Sequence, residues 1–342
     1  MNAPTEGLAG EATAQGATLA LPWLVADVGG TNARFGWVSR PGGGVEHVKK
    51  LPTAGFAGPA EAAAAYLGGL QQDIGAPAQP RRAALAVATA IQGDEVSLTN
   101  SAWRFSRAAL QQALGVDTLL VLNDFEALAL SLPRLQAAQL RAVGPLALRP
   151  QGTLAVIGPG TGLGVSGVVQ TAHGWVALPG EGGHATLAAV DEFESQLLAH
   201  VRRAHTHVSA ERLLSGIGLP VLYDAVATVL GHSVPPMTAE AIVERGVAGT
   251  DALCSSTVDT FCALLGSFSG SVALTLGARG GVYIGGGIVP RFGDRFFASA
   301  FRERFEAKGR FRGYLQAVPT ALITDTLAAL TGAAMALEQH RV

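Results

Sequence analysis

Several residues of this chain combine a reactive side chain with a neighbourhood that would expose it. Asp124 follows the apolar run 118–122, which reads as a buried strand, and it opens the helical pattern after it. A carboxylate at a strand end is placed to take a proton from a hydroxyl, and Asn123 beside it offers both a donor and an acceptor. Asp124 is also a natural helix N-cap, a role compatible with that of a base. Between Pro179 and His184 three glycines flank Glu181, so carboxylate and imidazole can project into one space. Glu211, two residues after Ser209, reads as the first turn of a helix, where a carboxylate also suits the dipole.

Glycine supplies the second chemistry. Asp27-Val-Gly29-Gly30-Thr31-Asn32 and Gly158-Pro-Gly160-Thr161-Gly162 each join two runs that read as strands, and Gly285-Gly286-Gly287 follows a third. Backbone N–H groups unobstructed by side chains cradle phosphate, and two threonine hydroxyls would add donors. A Walker P-loop is excluded. It needs Gly-Lys before Ser/Thr, and the chain's three lysines, Lys49, Lys50 and Lys308, never follow glycine. Gly162-Leu-Gly164-Val-Ser-Gly167 spells a dinucleotide fingerprint, with Glu181 about twenty residues on. That fingerprint must open a helix, whereas 165–169 is β-branched and runs into a turn. Strand-loop-strand hairpins gripping a triphosphate from two sides fit better, with Asp27 holding Mg²⁺ through water.

The elements that would position these residues recur. VADVGGTNARFGWV and AVIGPGTGLGVSGVV share one plan, an apolar strand, a Gly/Thr loop and a returning strand, and each opens one half of the chain. Strands are also expected at 83–88, 118–122, 281–284 and 320–323. Helices are expected at 57–72, 107–114 behind a Ser106 cap, 291–307 and 325–338, with helical periodicity through 190–278. The apolar stretch 253–276 is broken by Asp259 and several serines, which marks a core helix or helix pair rather than a membrane span. His200, His205 and His207 do not share one helical face, so a solvated helix end is expected there, not a metal site.

Length and composition bound the whole. The 342 residues suggest two domains. A net charge of -2 argues against a nucleic-acid partner. The mean hydropathy of +0.32 comes from short runs, with no uninterrupted apolar span of membrane length. The first twenty residues read as a disordered tail and lack the basic residues of a leader. Two cysteines, Cys254 and Cys262, fit a reducing compartment, and a cytoplasmic protein is expected. The 44 glycines are the one compositional excess.

Eight segments in register make the sequence resemble the bacterial ATP-dependent glucokinases of the hexokinase, actin and Hsp70 ATPase superfamily. They are ADVGGTNARF (26–35), LTNSAW (98–103), LNDFEALALSLP (122–133), IGPGTGLG (157–164), LPGEGGHA (178–185), ERLLSGIGL (211–219), GGVYIGGGIVPRF (280–292) and KGRF (308–311). No cysteine-rich motif follows Gly183-His184, unlike the repressor/ORF/kinase sugar kinases, and the tail is too short for a helix-turn-helix domain. The resemblance implies an α/β, two-domain actin-like ATPase (ribonuclease H-like) fold, with duplicated mixed-sheet domains around a cleft. A small domain of 21–134 plus 325–342 and a large one of 135–324 are implied, the last helix returning to the first domain. It implies transfer of the γ-phosphoryl of ATP to the 6-hydroxyl of D-glucose, with Mg²⁺, and a homodimer. Asp124 would be the base, and Asn123, Glu181, His184, Glu211 and, from LTNSAW, Asn100 and Thr99 would contact sugar. Asp27, Gly29, Gly30, Thr31, Asn32, Gly160, Thr161 and Gly162 would hold phosphates, and Gly285, Gly286 and Gly287 the adenosine. Arg34 is a candidate for the γ-phosphate. The segment Ala88-Thr-Ala-Ile-Gln-Gly93 departs from the family's usual Gly-Pro turn. Another hexose, or a sugar-sensing regulator without turnover, stays open, the Asn123-Asp124 pair weighing against the regulator.

Overall fold

The computed structural model describes residues 21–40, 42–98, 101–145, 147–148 and 150–340. The expectations for the tail, Thr99 and Asn100 lie outside them. The first half runs β1 (Trp23–Val28), β2 (Asn32–Val38), β3 (Glu46–Pro52), α1 (Pro59–Ile74), β4 (Arg82–Val87), β5 (Glu95–Ser97), β6 (Arg104–Ser106), α2 (Arg107–Leu114), β7 (Thr118–Asn123) and α3 (Asp124–Ser131). The second runs β8 (Leu140–Val143), β9 (Thr153–Pro159), β10 (Leu163–Thr171), β11 (Gly174–Leu178), α4 (Glu192–Val201), α5 (Leu219–Val229), α6 (Ala239–Ala248), α7 (Ala252–Leu276), β12 (Gly281–Ile284), α8 (Asp294–Phe297), α9 (Phe301–Glu306), α10 (Arg312–Gln316), β13 (Thr320–Ile323) and α11 (Ala328–Gln339).

The internal echo is a real duplication. One sheet has the order β3-β2-β1-β4-β7 and the other β11-β10-β9-β12-β13-β8. In both, a hairpin supplies the antiparallel half, Asp27 facing Arg34 in one and Gly158 facing Gly164 in the other. Parallel strands follow on the far side of β1 and of β9. β8 adds an antiparallel edge to the second sheet.

Strand alternation sorts the layers. Leu24, Ala26 and Val28 face the core under α1 and α2, while Trp23 and Val25 face α11. In the second sheet Ala155 and Ile157 join the large core with α4–α9, and Leu154 and Val156 face α3 and α11. Helices α3 and α11 therefore lie between the two sheets. They approach closely, since a Cβ on Gly332 would run into the carbonyl oxygen of Ala127. The C-terminal end of α11 is tied to both sheets. Buried Arg82 donates to Leu337 O at 2.9 Å and His340 O at 2.8 Å, and Trp175 N donates to Gln339 Oε1 at 2.6 Å.

Three expectations need correction. The stretch 291–307 is not one helix: Gly293, at φ 55°, separates a 3₁₀ turn from α8, and α9 begins only at Phe301. Helical periodicity over 190–278 is interrupted by turns between α4 and α5, so Glu211 opens no helix. The N-cap of α3 is Asn123, not Asp124. By contrast, 252–276 is one unbroken helix, the only described one long and apolar enough to span a membrane, and 72% of its most apolar 18-residue stretch is buried. Its polar residues are tolerated because Thr257, Thr260, Ser271 and Thr275 each donate to the carbonyl four residues back.

Candidate active site

Asp27 is the penultimate residue of β1, and the same alternation that buries Val25 against α11 turns Asp27 inward. Its Oδ2 accepts from Arg34 Nη1 at 3.1 Å, across the hairpin. Arg34 is thus committed to Asp27 here rather than poised for a phosphate. Desolvation raises the Asp27 pKa and the Arg34 charge opposes that rise.

Asp124 begins α3 directly after β7. Asn123 Oδ1 caps the helix by accepting from Phe125 N at 2.9 Å, and its Nδ2 donates to Thr89 O at 3.2 Å. The cap occupies the acceptor that sequence reasoning had offered to a sugar, but a second N–H of that amide stays available. Asp124 Oδ1 accepts from Phe125 N at 2.9 Å, leaving Oδ2 for a ligand. Burial, then the nearby Asp27 carboxylate and more weakly Glu181, push the Asp124 pKa up to about 7. A carboxyl so tuned can act as a base near neutrality.

The remaining predicted acids gather by backbone bracing. His184 Nε2 lies 4.0 Å from Glu181 Oε2, and His184 Nδ1 lies 3.9 Å from Glu211 Oε1. The other oxygen of Glu211 accepts from Leu163 N at 2.8 Å, which fastens it to the second glycine loop. The ribbon 183–187 pairs with 208–211 through Leu187 N to Val208 O, Ala210 N to Ala185 O and Glu211 N to Gly183 O. Sequence reasoning missed Glu126, a half-buried acid whose pKa is raised by desolvation and by Glu181. It missed Phe125 too, whose ring lies where a Cβ on Gly158 or Gly164 would fall. Both stand in the LNDFE run already singled out for its neighbours.

Three glycine turns meet at the rim of the second sheet. Gly216 N donates to Gly160 O at 2.8 Å, Gly285 N to Ile157 O at 2.8 Å and Ile288 N to Pro159 O at 3.2 Å. Gly286, at φ 77°, sits so close to the Pro159 carbonyl that a side chain would not fit. In the first loop Gly29 N donates to Asn32 O, and Thr53 braces Gly30 and Thr31. The amides of Gly30, Thr31, Thr161 and Gly162 donate to no group among the described residues, which suits anion binding. Gly160 N, in contrast, closes its own turn onto Gly162 O at 2.9 Å. Of the histidines outside the site, His200 is hydrogen-bonded to Asp224 and His207 to Thr186, and no cluster of three metal-ligating side chains occurs among the described residues.

A duplicated β-β-β-α-β-type sheet pair, with a glycine hairpin in each half and a buried carboxylate at the start of α3, is the architecture of the actin-like ATPase class. A glucokinase family profile matches residues 24–340, and the chain belongs to that family. That kinship makes it a sugar kinase. It is 48% identical to a glucokinase of Aromatoleum aromaticum, covering 93% of this chain and 95% of that one. It is 47% identical to the bifunctional protein glk of Paraburkholderia xenovorans over 93% of its own length, but spans only about half (49%) of that relative. Among solved structures, a glucokinase from an Antarctic psychrotroph superposes with a TM-score of 0.86 at 38% identity, covering 93% of this chain and 99% of that one. A Streptomyces griseus glucokinase solved with glucose and AMPPNP shares the fold at a TM-score of 0.61 and 20% identity, covering 92% of this chain and 98% of that one.

Proposed function

We propose that the protein transfers the γ-phosphoryl group of ATP to the 6-hydroxyl of D-glucose, with Asp124 as general base. The observation that carries this reading is the position and tuning of Asp124, at the start of α3 with its pKa raised to about 7. As the glucose oxygen bonds to the γ-phosphorus, the bond to the β–γ bridging oxygen breaks, ADP leaves, and the hydroxyl proton passes to Asp124 Oδ2. The hydroxyl becomes acidic only as the new P–O bond forms, so a carboxylate suffices.

Glu181, His184 and Glu211 would accept from or donate to sugar hydroxyls, joined by the free N–H of Asn123. The unpartnered amides of both hairpins would meet phosphate oxygens, and Gly285–Gly287 would let adenosine pack against bare backbone. The donor set fits Mg²⁺ carried by the nucleotide: with no cage of three carboxylates among the described residues, Asp27 Oδ1 could hold such an ion through water. Bound Mg²⁺ would neutralise phosphate charge. The two buried free thiols suit a cytoplasmic enzyme, and the family resemblance supports a homodimer.

Asp124→Ala should lower kcat by a factor of roughly 10³ or more while glucose binding, followed calorimetrically, changes by only a few-fold. Near-normal turnover would remove Asp124 as the base. The wild-type protein should hydrolyse ATP slowly without glucose, and equal rates with and without sugar would defeat the kinase reading. Rates across several hexoses decide the acceptor.

A further inference from the structure

The KGRF segment takes no part in the site above, yet its lysine lines a cavity. A pocket of about 250 Å³ opens between α7 and the ribbon that follows Gly182. Its walls are largely apolar, with Val165, Leu187, Phe268 and Val272 prominent among them. Lys308, half-buried, is the only cationic side chain in the lining.

The hydrogen-bonding state of this wall selects the ligand. Ser271 and Thr275 lie one helical turn apart on α7, and their hydroxyl protons are committed to Ser267 O and Ser271 O. They can therefore offer only lone pairs. Arg304, the next cation, is neutralised by Asp191 at 3.0 Å and by Glu194, and its Nε donates to Ser267 Oγ at 3.1 Å. Lys308 Nζ instead donates to a neutral oxygen, Ser271 Oγ, at 3.0 Å, and no carboxylate among the described residues lies within ion-pair distance of it. An ammonium has three N–H donors, so two remain for an acceptor. Burial and then the neighbouring Arg304 disfavour its charge, Glu194 opposes them more weakly from beyond ion-pair distance, and an incoming anion would add to that support.

We propose that this pocket is a binding site for a small monocarboxylate with an apolar body, its head on Lys308 Nζ and its tail against Phe268 and Val272. One unpaired cation matches one negative charge, and the volume lies just below the usual range for small-molecule sites. The back wall is the ribbon 182–187 that joins Glu181 and His184 to Glu211, so the site lies directly behind the predicted sugar contacts.

Titration calorimetry with octanoate below its micellar range, and with uncharged octanamide, tests this without reference to catalysis. Octanoate should bind the wild-type protein at least tenfold more tightly than octanamide does. Lys308→Met should weaken octanoate at least tenfold while leaving octanamide unchanged. Thr275→Trp, at the exposed lip, should block both ligands and leave glucose phosphorylation intact. Should Lys308→Met fail to fold, as judged by circular dichroism, the octanamide comparison and the lip variant still decide. No octanoate binding, equal binding of octanamide, or binding indifferent to either variant overturns the proposal.

Discussion

Replacing Asp124 by Asn should make the protein more stable, and only above acid pH. The Asp124 pKa is about 7 in the fold against 3.8 for the free side chain. The folded state therefore holds a proton that the unfolded chain releases between those values. This group favours folding least at high pH, since its contribution is fully present below the unfolded pKa and is lost as pH rises through about 7. Each pKa unit corresponds to about 1.4 kcal/mol, so at pH 8 the ionised carboxylate costs the fold about 4 kcal/mol as an upper bound. Water entering the site reduces that, and about 2–4 kcal/mol is the expected gain for Asp124→Asn at pH 8. The amide keeps the oxygen that accepts from Phe125 N, so no other contact need change. Urea unfolding of both proteins at intervals from pH 4 to 8.5 gives the difference directly. The gain should shrink steadily toward acid and be nearly gone at pH 4. A variant no more stable than wild type at pH 8, or a gain independent of pH, would refute the assignment of a raised pKa to Asp124.

Other perturbations test the same architecture. In wild type, kcat/KM for glucose should fall about tenfold per pH unit below about 7, as the base protonates; a flat profile down to pH 5 would contradict this. Gly332→Ala, measured by thermal unfolding, should destabilise by about 2 kcal/mol or more, because its methyl group meets the Ala127 carbonyl between α11 and α3. Arg82→Met should cost about 1–3 kcal/mol by releasing two carbonyls at the end of α11, read from urea midpoints.

The duplicated hairpins were legible because each glycine loop lies between two short runs of strand-like pattern, and both appear where the sequence puts them. α2 was legible to the residue, since Ser106 accepts from Ala109 N as a cap should. The false helix at 291–307 has a physical source. Phe292 and Phe296, and again Phe301 and Phe305, are spaced one helical turn apart and all four are buried, but the 3₁₀ turn, α8 and α9 bury them rather than one helix. The edge strand β3 escaped notice because it is charged and only half-buried. At the candidate site, residue types singled out Asp124, Glu181 and His184. They could not reveal that Asn123 would cap the helix, or that Glu211 would be fixed by the amide of Leu163. Those outcomes depend on which backbone groups the fold leaves unpaired.

The placement of α11 has a consequence for biosynthesis. On the ribosome, β1 and β4 emerge early, with Trp23, Val25 and Ala84 awaiting the face of Leu330, Ala333 and Leu337. At typical elongation rates that partner follows on the order of tens of seconds later. Over that interval the nascent chain carries an uncovered apolar sheet face, a target for holdase chaperones and for neighbouring chains on the same messenger. Emergence of α11 from the exit tunnel, rather than completion of the first sheet, is then the event that covers this face.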